Sequence, residues 1–536
     1  MALCFLVAAL LVQTAAGAFQ SERGLYSDEA AHFMNGLLIR DYLREGLGQS
    51  PLAFAREYYQ SYPKIAPLMW PPLFHGVLGL ALLPGWPPMP VAIVLLGICM
   101  AWVAWRLYFM TLECTSTPVA IGAAGLLLAT PAIVRLGSSV MVDIVIASLA
   151  LEAAYWLGRY WDTMRTRHAA TFGLMAGLAC LVKGNGIAVV MAPFFMLLLS
   201  GRVSMLARAG LYVAAAIVVA LAVPFLAIAY RLDAQLGDFG PLSGALVAER
   251  LRFYSLHVWL QLGTWPLLFA AVAVVVLLVR PAWLVRHTRL QGLALLSVVL
   301  GAFAFHLLSP HLLSHERYIT LALAPMLGLT AIGVMATTRT VASPGLRAAT
   351  QMGVFAVLAA IHLAAEPLPG AQPPLGYRAV ASNLAGRHDL AGKRILIVSN
   401  EQGEGAGVVE IAVLNLHPRP IVIRGSKLLA TDDWMGRNLQ MRYGSADAAL
   451  EDLEAMHVDF VILDESAESK QLPYWPQIEQ MAERFPDRLQ RIMTTVANPH
   501  TGPLRPLAVY RVMRQAEGPA KPIPLRLPAY AVGGPS

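Results

Sequence analysis

The segment Leu25-Tyr26-Ser27-Asp28-Glu29-Ala30-Ala31-His32 places two adjacent carboxylates just beyond the first apolar stretch of the chain. Ionisable groups are expensive to keep in or at the edge of a bilayer, so in a chain built mostly of apolar segments this pair reads as a reaction centre. The plainer reading makes Asp28 and Glu29 solvated residues of a helix N-terminus, where the helix dipole favours negative charge. The pair alone does not separate the two. Other ionisable groups stand at similar boundaries: Lys64 in Tyr62-Pro63-Lys64, His75 in Trp70-Pro71-Pro72-Leu73-Phe74-His75, Asp143 after Ser138-Ser139-Val140-Met141-Val142, and Lys183 in Lys183-Gly184-Asn185-Gly186. A late run adds His311, His315, Glu316, Arg317 and Tyr318.

Each of these also has an explanation without function. Lys64 and Arg317 suit interfacial anchors whose charged ends reach water. Asp143 suits a helix cap or dipole partner. Lys183 suits a residue that punctuates a helical hairpin, and His75, among aromatics and prolines, suits a structural imidazole. His311 and His315 have the i, i+4 spacing of a metal pair, but no His-Glu-x-x-His accompanies them and metal ligation is not the reading adopted.

The elements that must position these groups are membrane helices. Hydrophobic residues make up 57% of the chain, charged residues only 14%, and the mean hydropathy is +0.58. That is far more apolar than a water-soluble domain, and it identifies a multi-pass membrane protein. The net charge of +7 raises the question of nucleic acid. The basic residues instead fall in short clusters between apolar runs, as the positive-inside rule expects, and no nucleic-acid partner is read. The four cysteines form neither a disulfide framework nor a spaced metal motif.

Residues 3–18 resemble a signal peptide in length and in the small residues Ala15-Ala16-Gly17-Ala18, but no Lys or Arg precedes them, and an uncleaved first helix is the preferred reading. Apolar runs follow at 67–84, 90–110, 118–136, 140–158, 170–200, 209–230, 257–279, 290–308, 318–336 and 350–365. Most have the length of about 20 residues needed to cross a bilayer. Arginine clusters at 159–167, 202–208, 280–289 and 339–347 mark cytoplasmic loops, and 19–66, 231–255 and 309–317 then read as external. This requires 170–200 to make two short crossings that turn near Lys183. It also requires one early segment to stop short of a full crossing, and the Pro-broken run 67–84 is the candidate. The expectation is a polytopic helical bundle of about 11–13 membrane helices over residues 1–368.

After about residue 370 the pattern changes. Ile395-Leu396-Ile397-Val398, Ile421-Val422-Ile423 and Val458-Asp459-Phe460-Val461-Ile462-Leu463 read as strands, and 446–457 as an amphipathic helix. Strands alternating with helices predict an α/β domain over 369–514 with a partly parallel sheet, and the topology read from the loop charges makes it extracytoplasmic. Gly403-Glu404-Gly405-Ala406-Gly407 reads as a strand-to-helix turn, its spacing being wrong for a dinucleotide fingerprint. The Pro- and Gly-rich stretch 515–536 reads as a disordered tail.

Taken in order, the acidic pair after the first helix, the aromatic-Pro-Pro-Leu opening of the next apolar run, Pro131 leading to Asp143, Leu-Val-Lys183-Gly, and Glu316-Arg317-Tyr318 before a Pro325-containing helix resemble the GT-C membrane glycosyltransferases. The resemblance covers roughly residues 1–365. Within that class it points to the dolichyl-phosphate-mannose–protein mannosyltransferases and the aminoarabinose transferases of lipid A. It implies sugar transfer from a polyprenyl-phosphate donor to a hydroxyl of a lipid or protein acceptor, at the outer face of the cell membrane. Asp28 would be the acid/base residue and Glu29 would orient it or the acceptor. Arg317 would clamp the donor phosphate, with Lys64 and Lys183 as further cations, because an arginine can grip phosphate through two parallel hydrogen bonds. Asp143, Tyr318 and His75 would line the substrate. The resemblance favours a reaction without a cofactor or divalent metal.

Two other classes of function fit the same charges. A carrier or flippase of an anionic or lipidic envelope precursor would also keep acids and bases facing a cavity, although no internal repeat of the kind common in transporters is evident. A noncatalytic assembly subunit of the cell envelope would use the α/β domain for docking.

Overall fold

The computed structural model describes residues 1–231, 242–309, 314–365, 375–431, 439–495, 505–514 and 518–524. His311 and parts of the loops expected at 231–255 and 309–317 lie outside them. The chain divides into two compact units: Met1–Ala18, Leu68–Phe74 and Pro90–Gly370 form one, and Phe19–Pro67, His75–Met89 and Ala371–Ser536 form the other.

The first unit is helical. Among the described residues, five helices are long and apolar enough to cross a membrane: Pro88–Cys114, Ala209–Ala229, Arg286–Leu308, Glu316–Thr338 and Pro344–Ala364. Two bent pairs raise the number to as many as seven. The remaining apolar runs become helices that are short, such as the 17-residue Thr166–Val182, or that carry charge, such as Asp143–Thr163 with Asp143, Glu152, Arg159 and Asp162. Burial separates their places in the bundle. The apolar window of Glu316–Thr338 is 94% buried, whereas that of Ala209–Ala229 is 17% buried. The first is therefore central, and the second presents Tyr212, Val219, Leu226 and Ile228 outward as an apolar surface suited to lipid.

Breaks in the helices follow local chemistry. The run 170–200 divides where expected: Thr166–Val182 ends at Lys183, a short turn covers Gly184–Gly186, and helix resumes at Ile187–Val190 and Ala192–Ser200. Thr117–Ala129 and Pro131–Gly137 meet at 61°, with Thr130 extended ahead of a proline that cannot donate to the preceding turn. The run 257–279, expected as a single helix, is two: Gly244–Leu262 and Thr264–Val279, bent by 110°. Gly263 between them has φ 76°, which favours glycine, and Pro266 in the next turn prevents the first helix from continuing. The helix from the Pro-broken run 67–84 covers only Leu73–Ala81. Its nine residues reach about 13 Å, well short of a bilayer core.

The second unit holds a five-stranded sheet in the order Ile421–Arg424, Arg394–Val398, Phe460–Asp464, Leu507–Val512, Leu489–Thr494. The first three strands are parallel and the last two antiparallel. Strand Phe460–Asp464 is buried at every residue, as a central parallel strand covered on both faces should be. On one face Leu396, Val398, Val461 and Leu463 share a core with the helices Ala446–Ala455 and Trp475–Arg484. Ser445 caps the first of these by accepting from the Ala448 N–H at 3.2 Å.

Two expectations for this unit change. Gly403–Gly407 is not a turn but lies inside the helix Glu401–Ala412, whose cap is Asn400: its Oδ1 accepts from the Gly403 N–H at 2.9 Å. The glycines serve packing, since a Cβ on Gly405 would lie 2.9 Å from Ala30 Cβ and 3.1 Å from Lys64 Cε. Within the expected tail, residues 518–524 are anchored: the Lys521 N–H donates to the Ala455 carbonyl at 2.8 Å and Ile523 packs on the sheet core. Residues 515–517 and 525–536 lie outside the described set.

Candidate active site

The acidic pair opens the helix Ser27–Asp41, in its first turn. Asp28 is half-buried and Glu29 fully buried. Glu29 Oε2 accepts from the Leu25 N–H at 3.2 Å, so this carboxylate closes the turn that leads into the helix. Two further residues along the same helix face matter as well. His32, at i+4 from Asp28, shares a 2.9 Å hydrogen bond between its Nδ1 and His75 Nε2, with the two rings stacked 5.2 Å apart. Asn35, one turn further, accepts from the Ala66 N–H at 2.9 Å and donates to the Ala66 carbonyl. Asp28, His32 and Asn35 follow the i, i+4, i+7 spacing of one helix face, which was the available sequence signal for His32.

Lys64 belongs to this unit. It is buried, with Nζ 3.5 Å from Glu401 Oε1 on a helix whose glycine-lined face lets the lysine stem pass. Burial, reinforced by repulsion from Arg424, pushes Lys64 down to about 8; the carboxylates of Glu401, Asp28 and Glu404 only partly restore it. Arg424 is itself tied to Glu404 at 2.8 Å. The short run before the acidic pair is also charged and buried. Arg23 is fully buried with φ 62°, donates to the Met89 carbonyl at 3.3 Å and lies over the Phe33 ring. Glu22 accepts from the Tyr377 N–H at 2.8 Å, and burial followed by the nearby Glu410 carboxylate raises it to about 7. Arg378 bridges to Glu410 at 3.1 Å and donates to the Ser21 carbonyl. No apolar period or motif marks Glu22 and Arg23 in the sequence: the Tyr377 partner of Glu22 lies 355 residues away and the Met89 partner of Arg23 lies 66 away.

The first unit holds the other group of candidates. Lys183, released from the end of Thr166–Val182 into extended backbone, donates from Nζ to Asp143 Oδ1 at 2.7 Å. Asp143 opens the helix Asp143–Thr163 and is 1% exposed. The Lys183 ammonium also lies 4.6 Å from the centre of the Tyr318 ring, and the Arg317 guanidinium 5.6 Å from the same ring. Arg317 is buried and donates toward Met141 Sδ at 3.7 Å, within the Ser139–Val142 turn that precedes Asp143. Asn185 Nδ2 donates to the Tyr318 carbonyl at 3.4 Å and so ties the Lys183 turn to the Glu316–Ile319 turn. An aromatic ring carrying two cations, with one carboxylate to hold one of them, is a compact cationic centre suited to an anionic oxygen.

The sequence candidates thus form two groups. Asp143, Lys183, Arg317 and Tyr318 come together in the helical unit; Asp28, Glu29, Lys64 and His75 belong to the other, with His32 added to them. A second ion pair, half-buried Arg106 with buried Glu152, joins two helices of the first unit, and Glu152 also accepts from the Trp156 Nε1–H; the sequence reading passed over both residues. Among the described residues, no group of three or more His, Cys, Asp and Glu side chains has the arrangement of a metal site.

Residues 78–228 match the profile of the family described as dolichyl-phosphate-mannose-protein mannosyltransferase. Among solved structures, ArnT from Cupriavidus metallidurans bound to undecaprenyl phosphate is similar with a TM-score of 0.56 at 12% identity, over 96% of this chain and 99% of that one. The apo state of ArnT gives a TM-score of 0.57 at 12% identity, over 96% and 98%. The Archaeoglobus fulgidus oligosaccharyltransferase tethered to an acceptor peptide gives 0.51 at 13% identity, over 96% of this chain and 74% of that one. No curated protein sequence matches the chain. The resemblance read from the ordered motifs is therefore borne out: the chain is a multi-pass membrane protein with the fold of the GT-C glycosyltransferases.

Proposed function

We propose that this protein transfers a sugar from a polyprenyl-phosphate-linked donor to an acceptor hydroxyl, at the extracytoplasmic face of the cell membrane. The observation that carries the proposal is the buried Arg317–Tyr318–Lys183–Asp143 cluster among apolar helices. A lipid-borne phosphate is an anion that must be met where apolar helices surround it, and the similar ArnT structure holds undecaprenyl phosphate.

In the proposed reaction Asp28 accepts the proton of the acceptor hydroxyl as its oxygen bonds to the anomeric carbon. The bond from that carbon to the phosphate oxygen breaks, and the polyprenyl phosphate leaves with the electron pair. Arg317 meets the charge developing on the phosphate through paired hydrogen bonds. Lys183, held by Asp143, contributes a fixed positive field, and the Tyr318 ring keeps both cations in place. Glu29 sets the backbone turn that presents Asp28. Lys64 acts as a further cation, and His75, locked to His32, serves as a polar contact for the substrate. The charge stabilisation comes from these side chains, and no step calls for a divalent metal.

The test is transfer of labelled sugar from a polyprenyl-phosphate donor by purified, reconstituted protein. Arg317→Ala is expected to lower kcat/KM by about 100-fold or more, as loss of a transition-state charge partner does, with Arg317→Lys recovering part of it. Lipid movement across the membrane with no sugar transfer by the wild-type protein would favour the carrier reading instead.

A further inference from the structure

The two ends of the sheet in the second unit differ. In open α/β sheets, ligands usually bind beyond the carboxyl ends of the parallel strands. Here that end is closed by its own hydrogen bonds. Asp464 Oδ2, fully buried, accepts from Ser399 Oγ at 2.6 Å, from Ser469 Oγ at 2.8 Å and from Arg505 Nη1 at 3.1 Å. The opposite end, where Arg394–Val398 and Phe460–Asp464 begin and Leu507–Val512 ends, is open. A cleft of about 530 Å³ lies there, lined by Arg387, His388, Lys393, Phe460, Arg511 and Arg514 together with two carboxylates, Asp389 and Asp459.

The charges in this cleft do not balance. Asp459 is fully engaged: it accepts from Arg514 Nη2 at 2.6 Å and from the Arg394 N–H at 2.9 Å, and lies 3.7 Å from Lys393 Nζ. Asp389 accepts from the Ala391 N–H at 3.0 Å. Asp459 is thus spent on protein donors, and Asp389 is the one carboxylate left to set against Arg387 and Arg511. The guanidinium groups of Arg387 and Arg511 make no hydrogen bond or ion pair within the protein among the described residues. Their positions are set by the fold: Arg387 ends the helix Tyr377–Arg387, and Arg511 stands opposite Phe460 in the sheet register. Phe460, 4% exposed and 5.3 Å from the His388 ring, supplies a rigid apolar floor.

We infer that this cleft is a binding site for a phosphate-bearing ligand. Two guanidinium groups without protein partners among the described residues, beside two cations held by one carboxylate, form a set of planar donors matched to phosphate oxygens. The cleft volume is in the range that holds a small ligand. The inference is independent of the transfer reaction proposed above, because none of its residues takes part in that reaction. The phosphate can come from a soluble molecule or from a lipid headgroup, and the probes distinguish the two.

The test uses the full chain in a neutral detergent. Inorganic pyrophosphate serves as the soluble probe in calorimetric titration, and flotation with phosphatidylcholine vesicles, with and without phosphatidic acid, serves as the lipid probe after reconstitution-free mixing. The expected result is binding of at least one probe that weakens tenfold or more in the Arg387→Ala/Arg511→Ala double variant and also weakens with rising salt. Arg484→Ala, which removes an exposed arginine paired with Asp447 instead, should bind as the wild type does. Pyrophosphate binding marks a soluble ligand, and binding confined to phosphatidic acid vesicles marks a headgroup; either supports the site. Binding of neither probe, or equal binding by the double variant and the wild type, overturns it. Unchanged thermal unfolding of the double variant keeps the comparison meaningful, because both side chains are exposed and brace nothing.

Discussion

Each unit contains a buried lysine beside a carboxylate, and the two pairs are built differently. In the helical unit, Lys183 meets Asp143 at 2.7 Å, and the carboxylate is 1% exposed. In the other unit, Lys64 stands 3.5 Å from a Glu401 side chain that is 58% exposed, with Arg424 adding repulsion. The first pair is closed: two buried charges meet at hydrogen-bond distance in a region of low dielectric, so removing one takes away a partner that the other is built around. The second is loose, and burial pulls the lysine down toward neutral pH. The lesson is one of division of labour. Lys183 is a fixed element of the cationic centre, whereas Lys64 can exchange its proton under physiological conditions.

Removing one partner of the closed pair should have the largest effect. Asp143→Asn removes the carboxylate that meets the buried Lys183 ammonium at 2.7 Å, at an expected cost of about 3–5 kcal/mol. Thermal unfolding in detergent should show the loss, and adding Lys183→Met in the same chain should recover most of it. If the single variant unfolds like the wild type, the pair is not closed.

The loose pair makes a prediction about pH. The folded-state value of Lys64 lies below its ordinary 10.5, at about 8. Below about pH 8 the folded protein carries the buried charge, and the full cost is present, on the order of 3 kcal/mol. As pH rises from about 8 toward 10.5 the folded state has lost its proton while the unfolded state still holds one, so stability climbs. Unfolding measured from pH 7 to 10 should therefore show a gain in the wild type that is missing in Lys64→Met. A parallel pH dependence in the two proteins would contradict this account of Lys64.

The smallest effect is expected at the exposed end of the loose pair. Glu401→Gln removes a solvent-screened partner and should change stability by less than about 1 kcal/mol. It should nonetheless move the pH window of Lys64 further down, since Glu401 is the first of the carboxylates that hold it up. A destabilisation as large as that of Asp143→Asn would mean that the two pairs are not different in kind.

Much of this was legible in the sequence, for local reasons. Hydropathy located the apolar runs, Lys183-Gly184 marked the break within 170–200 and the prolines of 67–84 a shortened segment, and the alternation of strands and helices after residue 370 announced the partly parallel sheet. The group Asp143, Lys183, Arg317 and Tyr318 was readable because charge inside an apolar run is conspicuous. What escaped depended on distant partners. The glycines of 403–407 looked like a turn because glycine usually signals one, but here they clear space for Ala30 and the Lys64 stem. Gly263 sits in a run apolar enough to pass for a single helix, and only its φ shows the 110° bend. His32 was overlooked beside the more conspicuous acidic pair, and its role emerges only through His75, 43 residues on.

The central claim is that Asp28 accepts the acceptor's proton during sugar transfer. Its most direct test is single-turnover transfer of labelled sugar from a polyprenyl-phosphate donor by reconstituted Asp28→Asn protein, alongside its donor binding and thermal unfolding. Asparagine keeps the shape and the helix-opening position but cannot take up the proton. The expected result is a fall in the transfer rate of about 100-fold or more, as for loss of a general base, with donor affinity and unfolding temperature close to those of the wild type. Transfer at the wild-type rate would contradict the assignment of Asp28.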